Sequence, residues 1–167
     1  MHIAIALMSI FSAWKWGDWR HWQRYQPTML YMLSAEMIYE FLTKDYSLWT
    51  FRPDILLNGT LVVLVYAVVS MPLTVLVFLS RYPQKWSKRI LYYGKWVAIY
   101  MGVEVILSVT HRISYQHKWS LWWSFVFDVV MFPMLQLHTK KPLLAYVLSV
   151  MAISGYMIFL KVPITAQ

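Results

Sequence analysis

Four carboxylates lie inside long apolar stretches of this sequence and are its clearest chemical feature. They are Glu36, Glu40, Glu104 and Asp128. A charged side chain at the centre of a bilayer costs at least about 2.5–3.5 kcal/mol on insertion scales. Such a residue faces protein or water and commonly serves a function. The pattern therefore predicts an intramembrane acidic site that binds a proton, a metal cation or an organic cation.

Asp128 lies near the middle of an aromatic segment that runs from Trp119 to His138. About 20 apolar residues are enough to span the hydrocarbon core as a helix, and this segment has that length. Ser120 and Ser124 precede Asp128 by two helical turns and one turn, so both hydroxyls share its face. The segment thus combines a carboxylate and two hydroxyls on one side of a predicted span.

The other three acids also lie on recognisable helix faces. Glu36 and Glu40 are one turn apart, and like charges at that spacing repel unless a proton or a cation lies between them. Glu104 belongs to a polar and aromatic stripe that covers an arc of about 120° on its helix. The members of this stripe are Tyr93, Trp96, Tyr100, Glu104, Ser108 and His111.

Composition places the chain in a lipid bilayer. It has 167 residues, of which 60% are hydrophobic and 13% charged, whereas a soluble domain carries roughly 25% charged residues. We predict an all-α fold, with residues 1–167 forming a single transmembrane domain. Cysteine is absent, and the histidines show no metal-ligand spacing, so we expect no metal site with Cys or His ligands and no cofactor.

Hydropathy predicts a polytopic bundle of about six transmembrane helices, of which the first is short. Polar loops separate these helices, and Pro72 predicts a kink in the third. The six predicted ranges are Ile3–Trp14, Pro27–Thr43, Ile55–Ser80, Ile90–Thr110, Trp119–His138 and Leu143–Leu160.

The segment Lys15–Thr28, KWGDWRHWQRYQPT, is predicted to lie in the headgroup zone of the bilayer. Its tryptophans recur every three residues with cations between them, so the rings can face acyl chains while the cations face phosphates. Simple anchoring and recognition of a lipid headgroup both fit this pattern. The predicted interfacial contacts are Trp16, Trp19, Trp22, Arg20 and Arg24.

The net charge of +8 reflects topology, and no nucleic-acid partner is expected. With six spans, the first, third and fifth loops hold nine Lys and Arg residues, against five on the other side when Lys95 is left out. The richer side is predicted to be cytoplasmic, which places both termini outside. His111 and Arg112 then lie in an outer loop and can reach inward to pair with Glu40 or Glu104.

Three segments of the chain resemble a family of small polytopic membrane proteins from spore-forming Firmicutes. They are WKWGDWRHWQRYQPT (14–28), FLSRYP (78–83) and WWSFVFDVVMFPMLQLHTKKPLLAY (122–146). The resemblance runs over most of the chain, and Asp128 lies within the FD-x-x-MFP-type motif. It implies a polytopic architecture and a location in the bacterial cytoplasmic (inner) membrane, and it implies no chemistry.

Three functions remain open from the sequence. The preferred one is binding or transport of a proton, a cation or a small ligand, with aromatic rings adding cation–π attraction of roughly 0.5–2 kcal/mol. The second is a membrane enzyme that uses a buried carboxyl as an acid on an apolar isoprenoid or lipid substrate. The resemblance of this chain to the small membrane terpene cyclases, which would suit such an enzyme, is one of composition alone. The third is a structural subunit that pairs with a membrane protein or with itself.

No catalytic residue can be assigned from these patterns, and a binding role is favoured over an enzymatic one. The expected partners are the lipid bilayer and a small cationic or apolar ligand. The candidate ligand-binding or ion-binding residues are Glu36, Glu40, Tyr100, Glu104, Ser124, Asp128, His111 and Arg112.

Overall fold

The computed structural model describes residues 1–53 and 58–163, and six helices account for most of them. A short 3-10 turn, Trp19–His21, connects the first two helices. The helices are α1 His2–Trp16, α2 Trp22–Leu42, α3 Gly59–Ser80, α4 Trp86–Val109, α5 Leu121–His138 and α6 Pro142–Phe159.

The four helices α3 to α6 are long and apolar enough to cross a membrane. Mean hydropathy is highest in α3, at 2.6, and lowest in α5, at 1.2, where the Asp128 carboxylate lowers it. The fold is therefore all-α, as predicted, and its four membrane-competent helices support a transmembrane protein. The helix α1 has only 15 residues, and α2 carries Arg24 together with Glu36 and Glu40.

A two-stranded antiparallel ribbon closes one end of the helices. The strand β1, Trp49–Phe51, pairs with β2, Ile113–Tyr115, in the register Trp49↔Tyr115. The ribbon ties the α2–α3 connection to the α4–α5 connection. We call this the ribbon end and the opposite side the loop end. The sequence had predicted plain loops here, although aromatic and β-branched residues such as these favour strands.

The short helix α1 lies along α3 and is fastened to it near both ends. At the ribbon end the fully buried His2 donates through Nε2 to the carbonyl of Arg52 (2.9 Å) and accepts from the Tyr66 hydroxyl through Nδ1 (3.1 Å). At the loop end the Arg81 guanidinium donates to the carbonyl of Trp16 at 3.3 Å. The helix α1 therefore lies beside α3 from Tyr66 to Ser80.

The turn after α1 requires a glycine. A β-carbon on Gly17 would lie 2.5 Å from the carbonyl oxygen of Ala13 and 3.1 Å from the Leu76 side chain. Any larger residue would push α1 away from α3. The next amide, that of Asp18, donates to the Ser80 hydroxyl at 2.9 Å, which docks the turn on the end of α3.

The prediction that the second helix begins at Pro27 is wrong, because α2 begins at Trp22 and contains this proline. No glycine or proline interrupts the chain between Gly17 and Pro27, so the helix can begin early. Proline at this position removes only one backbone hydrogen bond near the start of the helix. Part of the segment predicted to lie flat, Lys15–Thr28, is consequently helical.

The kink predicted at Pro72 takes the form of a wider helical turn. Residues Tyr66–Ser70 adopt a π-helical conformation directly before this proline. A π-turn offsets the hydrogen-bond ladder, which accommodates the missing amide of proline. The start of the predicted third helix, Ile55–Leu57, lies outside the described residues.

The helices α2, α3, α4 and α5 meet in one apolar core. At its centre the fully buried rings of Phe78 and Phe132 lie 5.2 Å apart. The helix α6 packs on α5 and exposes most of its apolar side chains, as expected of a wall that faces lipid. The buried core residues are Tyr31, Met32, Val75, Phe78, Leu79, Val97, Met131, Phe132 and Leu135.

Candidate functional site

Asp128 is the deeply buried acid of this bundle, with 5% of its surface exposed. It lies on α5, seven residues after Leu121, which is about 10 Å along the helix axis at 1.5 Å per residue. Its Oδ2 atom is buried and has no hydrogen-bond partner among the described residues. A buried polar atom without a partner is uncommon, and a bound water, a bound ion or a functional role can explain it.

Glu104 has a different environment, although it lies close enough to Asp128 to interact with it electrostatically. Its Oε1 atom accepts a hydrogen bond from the Tyr115 hydroxyl at 2.7 Å and another from the Ser124 hydroxyl at 2.5 Å. The indole of Trp119 donates in turn to the Ser124 oxygen at 2.9 Å. We call these four residues the Glu104 network. It joins α4 to β2 and α5.

Tyr115, on β2, serves this network as a neutral donor. Burial raises the pKa of the Tyr115 hydroxyl, and its hydrogen bond to Glu104 raises that pKa further. The hydroxyl therefore keeps its proton over the physiological range. An acidic side chain that receives such a donor is stabilised in its ionised form.

The acids on α2 are linked to this region through a tyrosine of α4. Tyr100 interacts electrostatically with both Glu36 and Asp128, and its ring meets Phe132 edge-on at 5.1 Å. Glu36 in turn interacts with Glu40 on the same helix. The structure thus brings together acids from α2, α4 and α5. We call Glu36, Tyr100, Glu104 and Asp128 the acidic cluster.

His111 and Arg112 lie at the ribbon rather than within the acidic cluster. His111 is exposed and has a left-handed backbone, with φ of 56°. The Arg112 guanidinium donates to the carbonyl of Pro53 at 3.2 Å. Glu104 takes its hydrogen bonds from hydroxyl groups instead of from either of these residues.

A row of aromatic rings runs beside the Glu104 network, and sequence reasoning missed it. Tyr39 stacks on Trp49 at 4.2 Å, and Trp49 lies 4.8 Å from Trp119. The row then continues to Tyr156 on α6, whose ring lies 6.0 Å from Trp119. These rings come from four separate elements and loops. No local spacing could have indicated their contact.

The interfacial residues predicted from the sequence lie at the loop end. The rings of Trp16, Trp19 and Trp22 are between 40% and 47% exposed. Arg20 and Arg24 are exposed and border a shallow groove together with His21 and Gln23. Such surfaces suit contact with lipid headgroups.

An exposed pair forms beside these residues. The ring of His21 contacts the Asp18 carboxylate at 3.0 Å. This hydrogen bond from His21 lowers the pKa of Asp18, and its charge acts in the same direction.

A second buried polar group lies near the loop end. Nδ1 of His138 and the Thr28 hydroxyl share a hydrogen bond of 2.9 Å, and the imidazole stacks on Tyr31 at 4.4 Å. The Tyr31 hydroxyl also bonds Ser149. These contacts join α2, α5 and α6, which indicates a structural connection between the three helices. The sequence placed His138 only at a helix end.

Within residues 1–53 and 58–163, no three His, Asp or Glu side chains are grouped so as to hold a metal ion. The acidic cluster holds three carboxyls: Asp128 with an unpartnered Oδ2 atom, Glu104 with two hydrogen bonds, and Glu36, which interacts with Tyr100. Comparisons of the chain with family models, with curated proteins and with solved structures give no match.

Proposed function

We propose that this protein binds a small organic cation at the acidic cluster, in competition with protons. The observation that carries the proposal is the buried Asp128 carboxyl, whose Oδ2 atom has no hydrogen-bond partner in the described parts of the chain. An unpaired buried charge costs several kcal/mol, and a bound cation would offset that cost. Protonation of the carboxyl is the alternative way to remove the same charge.

The donor set favours an organic cation over a metal ion. Hard metal cations need several oxygen ligands, commonly six or more for Ca²⁺. The hydroxyls of Tyr115 and Ser124 already donate to Glu104, so they do not add oxygen ligands to the Asp128 carboxyl. A single carboxylate suits an ammonium or phosphonium group, whose remaining surface is apolar.

Aromatic rings lie close to Asp128 in the sequence and the fold, and the Phe132 ring among them is fully buried in the apolar core. Phe132 lies one helical turn beyond Asp128, with Tyr100 edge-on to it at 5.1 Å and Trp96 at 5.8 Å. A cation over such rings gains roughly 0.5–2 kcal/mol, and more when water is excluded. The arrangement combines the charge and the rings that quaternary ammonium ligands require.

We also propose that α1 and α2 cross the membrane, which makes six spans. Support comes from the contacts of α1 with both ends of α3, through His2 at one end and Trp16 at the other. The helix α2 has 21 residues and contributes the buried Tyr31 and Met32 to the same core as α3.

The proposed location is a bacterial cytoplasmic membrane with the loop end inside. The loop end carries the Lys85–Arg89 cation run and the Lys140–Lys141 pair, and cationic loops favour the cytoplasmic side. The ribbon end and both termini would then face outside. The acids lie in the ribbon half of the bundle, so the cation would enter from the outer half of the membrane.

Equilibrium binding of tetraphenylphosphonium to the full chain in lipid nanodiscs tests the proposal. We expect Asp128→Asn to weaken binding at least about tenfold, because the carboxamide keeps the size of the side chain but removes its charge. Asp45→Asn is the matched control, since Asp45 is an exposed acid in the α2–α3 connection. Binding that is unchanged in Asp128→Asn would overturn the proposal, as would the absence of binding to the unmodified chain.

A further inference from the structure

An apolar groove runs between α5 and α6 on the outer face of the bundle. It is lined by Trp123, Ala152, Gly155, Tyr156 and Phe159. The Trp123 ring meets Phe159 at 4.9 Å and Tyr156 at 5.8 Å, so aromatic rings form its wall. Because α6 exposes most of its apolar side chains, the groove would open directly to the hydrocarbon of the bilayer.

The inner wall of the groove adjoins the site of the proposed function. The Tyr156 hydroxyl is buried and has no hydrogen-bond partner within the described residues. Its ring lies 6.3 Å from Phe127, the residue before Asp128, and 6.0 Å from Trp119 of the Glu104 network. Tyr156 also interacts electrostatically with Asp128. Tyr156 therefore lies in the wall of the groove and also beside the Glu104 network.

A glycine keeps the groove open. A β-carbon on Gly155 would meet no other atom within 4 Å, and this residue is exposed on the lipid-facing side of α6. A larger side chain could occupy the groove without displacing the backbone. The width of the groove can therefore be changed without altering the packing of the core.

We infer that the ligand is an amphiphilic amine from the bilayer, with its alkyl chain in this groove and its ammonium group directed past Tyr156 toward Asp128. This inference rests on the proposed function and adds the class of ligand and its route. Charge complementarity identifies the occupant, because the groove is apolar and its Tyr156 interacts electrostatically with the Asp128 carboxyl, whose buried Oδ2 atom has no partner in the described chain. A neutral lipid chain would fill the groove and leave that carboxyl without a counterion.

The test compares two quaternary ammonium ions that differ only in chain length. Binding of dodecyltrimethylammonium and of tetramethylammonium is measured on the full chain in lipid nanodiscs. We expect the long-chain ion to bind at least about tenfold more tightly. Gly155→Leu should remove that advantage and leave the affinity for tetramethylammonium unchanged. Gly155→Ala should give an intermediate result.

Gly94→Leu is the matched control. Gly94 is an exposed glycine of α4, and a β-carbon added there would meet no other atom within 4 Å. This variant should bind both ions as the unmodified chain does. Equal affinities for the two ions, or an unchanged preference in Gly155→Leu, would contradict binding of the alkyl chain in the groove but would not contradict the proposed function. Binding of neither ion would overturn both proposals. Displacement of the long-chain ion by dodecanol at equal concentration would identify the groove as a site for neutral chains instead.

Discussion

Glu104 and Asp128 are neighbouring carboxyls on packed helices, and their surroundings differ. Glu104 is half-buried and receives hydrogen bonds from two hydroxyls. Asp128 is more deeply buried, and its Oδ2 atom has no partner in the described chain. Protein hydroxyls therefore donate to the Glu104 carboxyl, whereas the Asp128 Oδ2 atom can still accept an external partner. The comparison separates an acid that holds elements together from one that can bind a ligand.

The largest expected effect on stability comes from removing the partnered acid. Glu104→Ala would leave the hydroxyls of Tyr115 and Ser124 without their acceptor. Each unsatisfied buried donor costs about 1–3 kcal/mol, so we expect a loss of about 3 kcal/mol in total. Reversible unfolding by sodium dodecyl sulfate in mixed micelles measures this quantity.

Asp128→Ala is the matched variant, and it should change the unfolding free energy by less than about 1 kcal/mol, because it breaks no protein hydrogen bond and removes a costly buried carboxyl. Equal destabilisation by the two variants would remove the distinction between the two acids.

A smaller loss is expected from the shared hydroxyl of the Glu104 network. Ser124→Ala removes a donor to Glu104 and the acceptor of the Trp119 indole at once. We expect about 2 kcal/mol of destabilisation in the same unfolding measurement. Ser120→Ala provides the control, since the Ser120 side chain makes no capping hydrogen bond at the start of α5. If both serine variants were equally stable, the network would contribute nothing measurable.

Tyr115→Phe should have a still smaller effect, because Ser124 continues to donate to Glu104. The loss of one hydrogen bond is worth about 1 kcal/mol. A double-mutant cycle makes the assignment specific: in a Glu104→Ala background the same change should cost almost nothing. An undiminished cost in that background would place the role of Tyr115 elsewhere, for example in its pairing with Trp49.

The smallest effect on stability is expected for Asp18 at the loop end, an acid whose hydrogen-bond partner, His21, is exposed to solvent. The His21 hydrogen bond lowers the pKa of Asp18 from its ordinary value of 3.8. A lowered carboxyl pKa gives stability that is present above the ordinary value and is lost as the pH falls through the folded value. Asp18→Asn should therefore lower the thermal midpoint slightly at pH 6, and the difference should disappear in strong acid. A difference that persisted there would exclude the ionised pair as its source.

The helices were predictable because each rests on a continuous apolar run or a periodic face. Hydropathy placed α5 and α6 within two residues of their observed ends, and helical spacing put Ser124 and Asp128 on one face. The start of α2 was missed because Pro27 was taken as a helix start, whereas the helix tolerates this proline within its second turn. The break before α2 depends on the packing of Gly17 against Leu76, which is a contact distant in sequence.

The sequence marks four acids as costly to bury, Glu36, Glu40, Glu104 and Asp128, but it does not reveal their individual environments. The difference between the last two acids depends on Tyr115, which reaches Glu104 only because β2 pairs with a strand more than 60 residues earlier. A three-residue strand has too little local pattern to be recognised within a polar loop. The Tyr156 contact likewise depends on how α6 packs on α5.

Solid-state NMR tests most directly whether Asp128 is the residue that meets the cation. Chains labelled with ¹³C at the aspartate carboxyls would be saturated in bilayers with ¹⁵N-labelled dodecyltrimethylammonium. Carbon–nitrogen dephasing then reports which carboxyl lies near the bound nitrogen. We predict that one aspartate signal dephases at a distance of about 4–5 Å and that Asp128→Asn removes this dephasing. Dephasing of a glutamate carboxyl in a glutamate-labelled sample, with none at aspartate, would contradict the account and assign the cation to Glu104 or to the α2 acids.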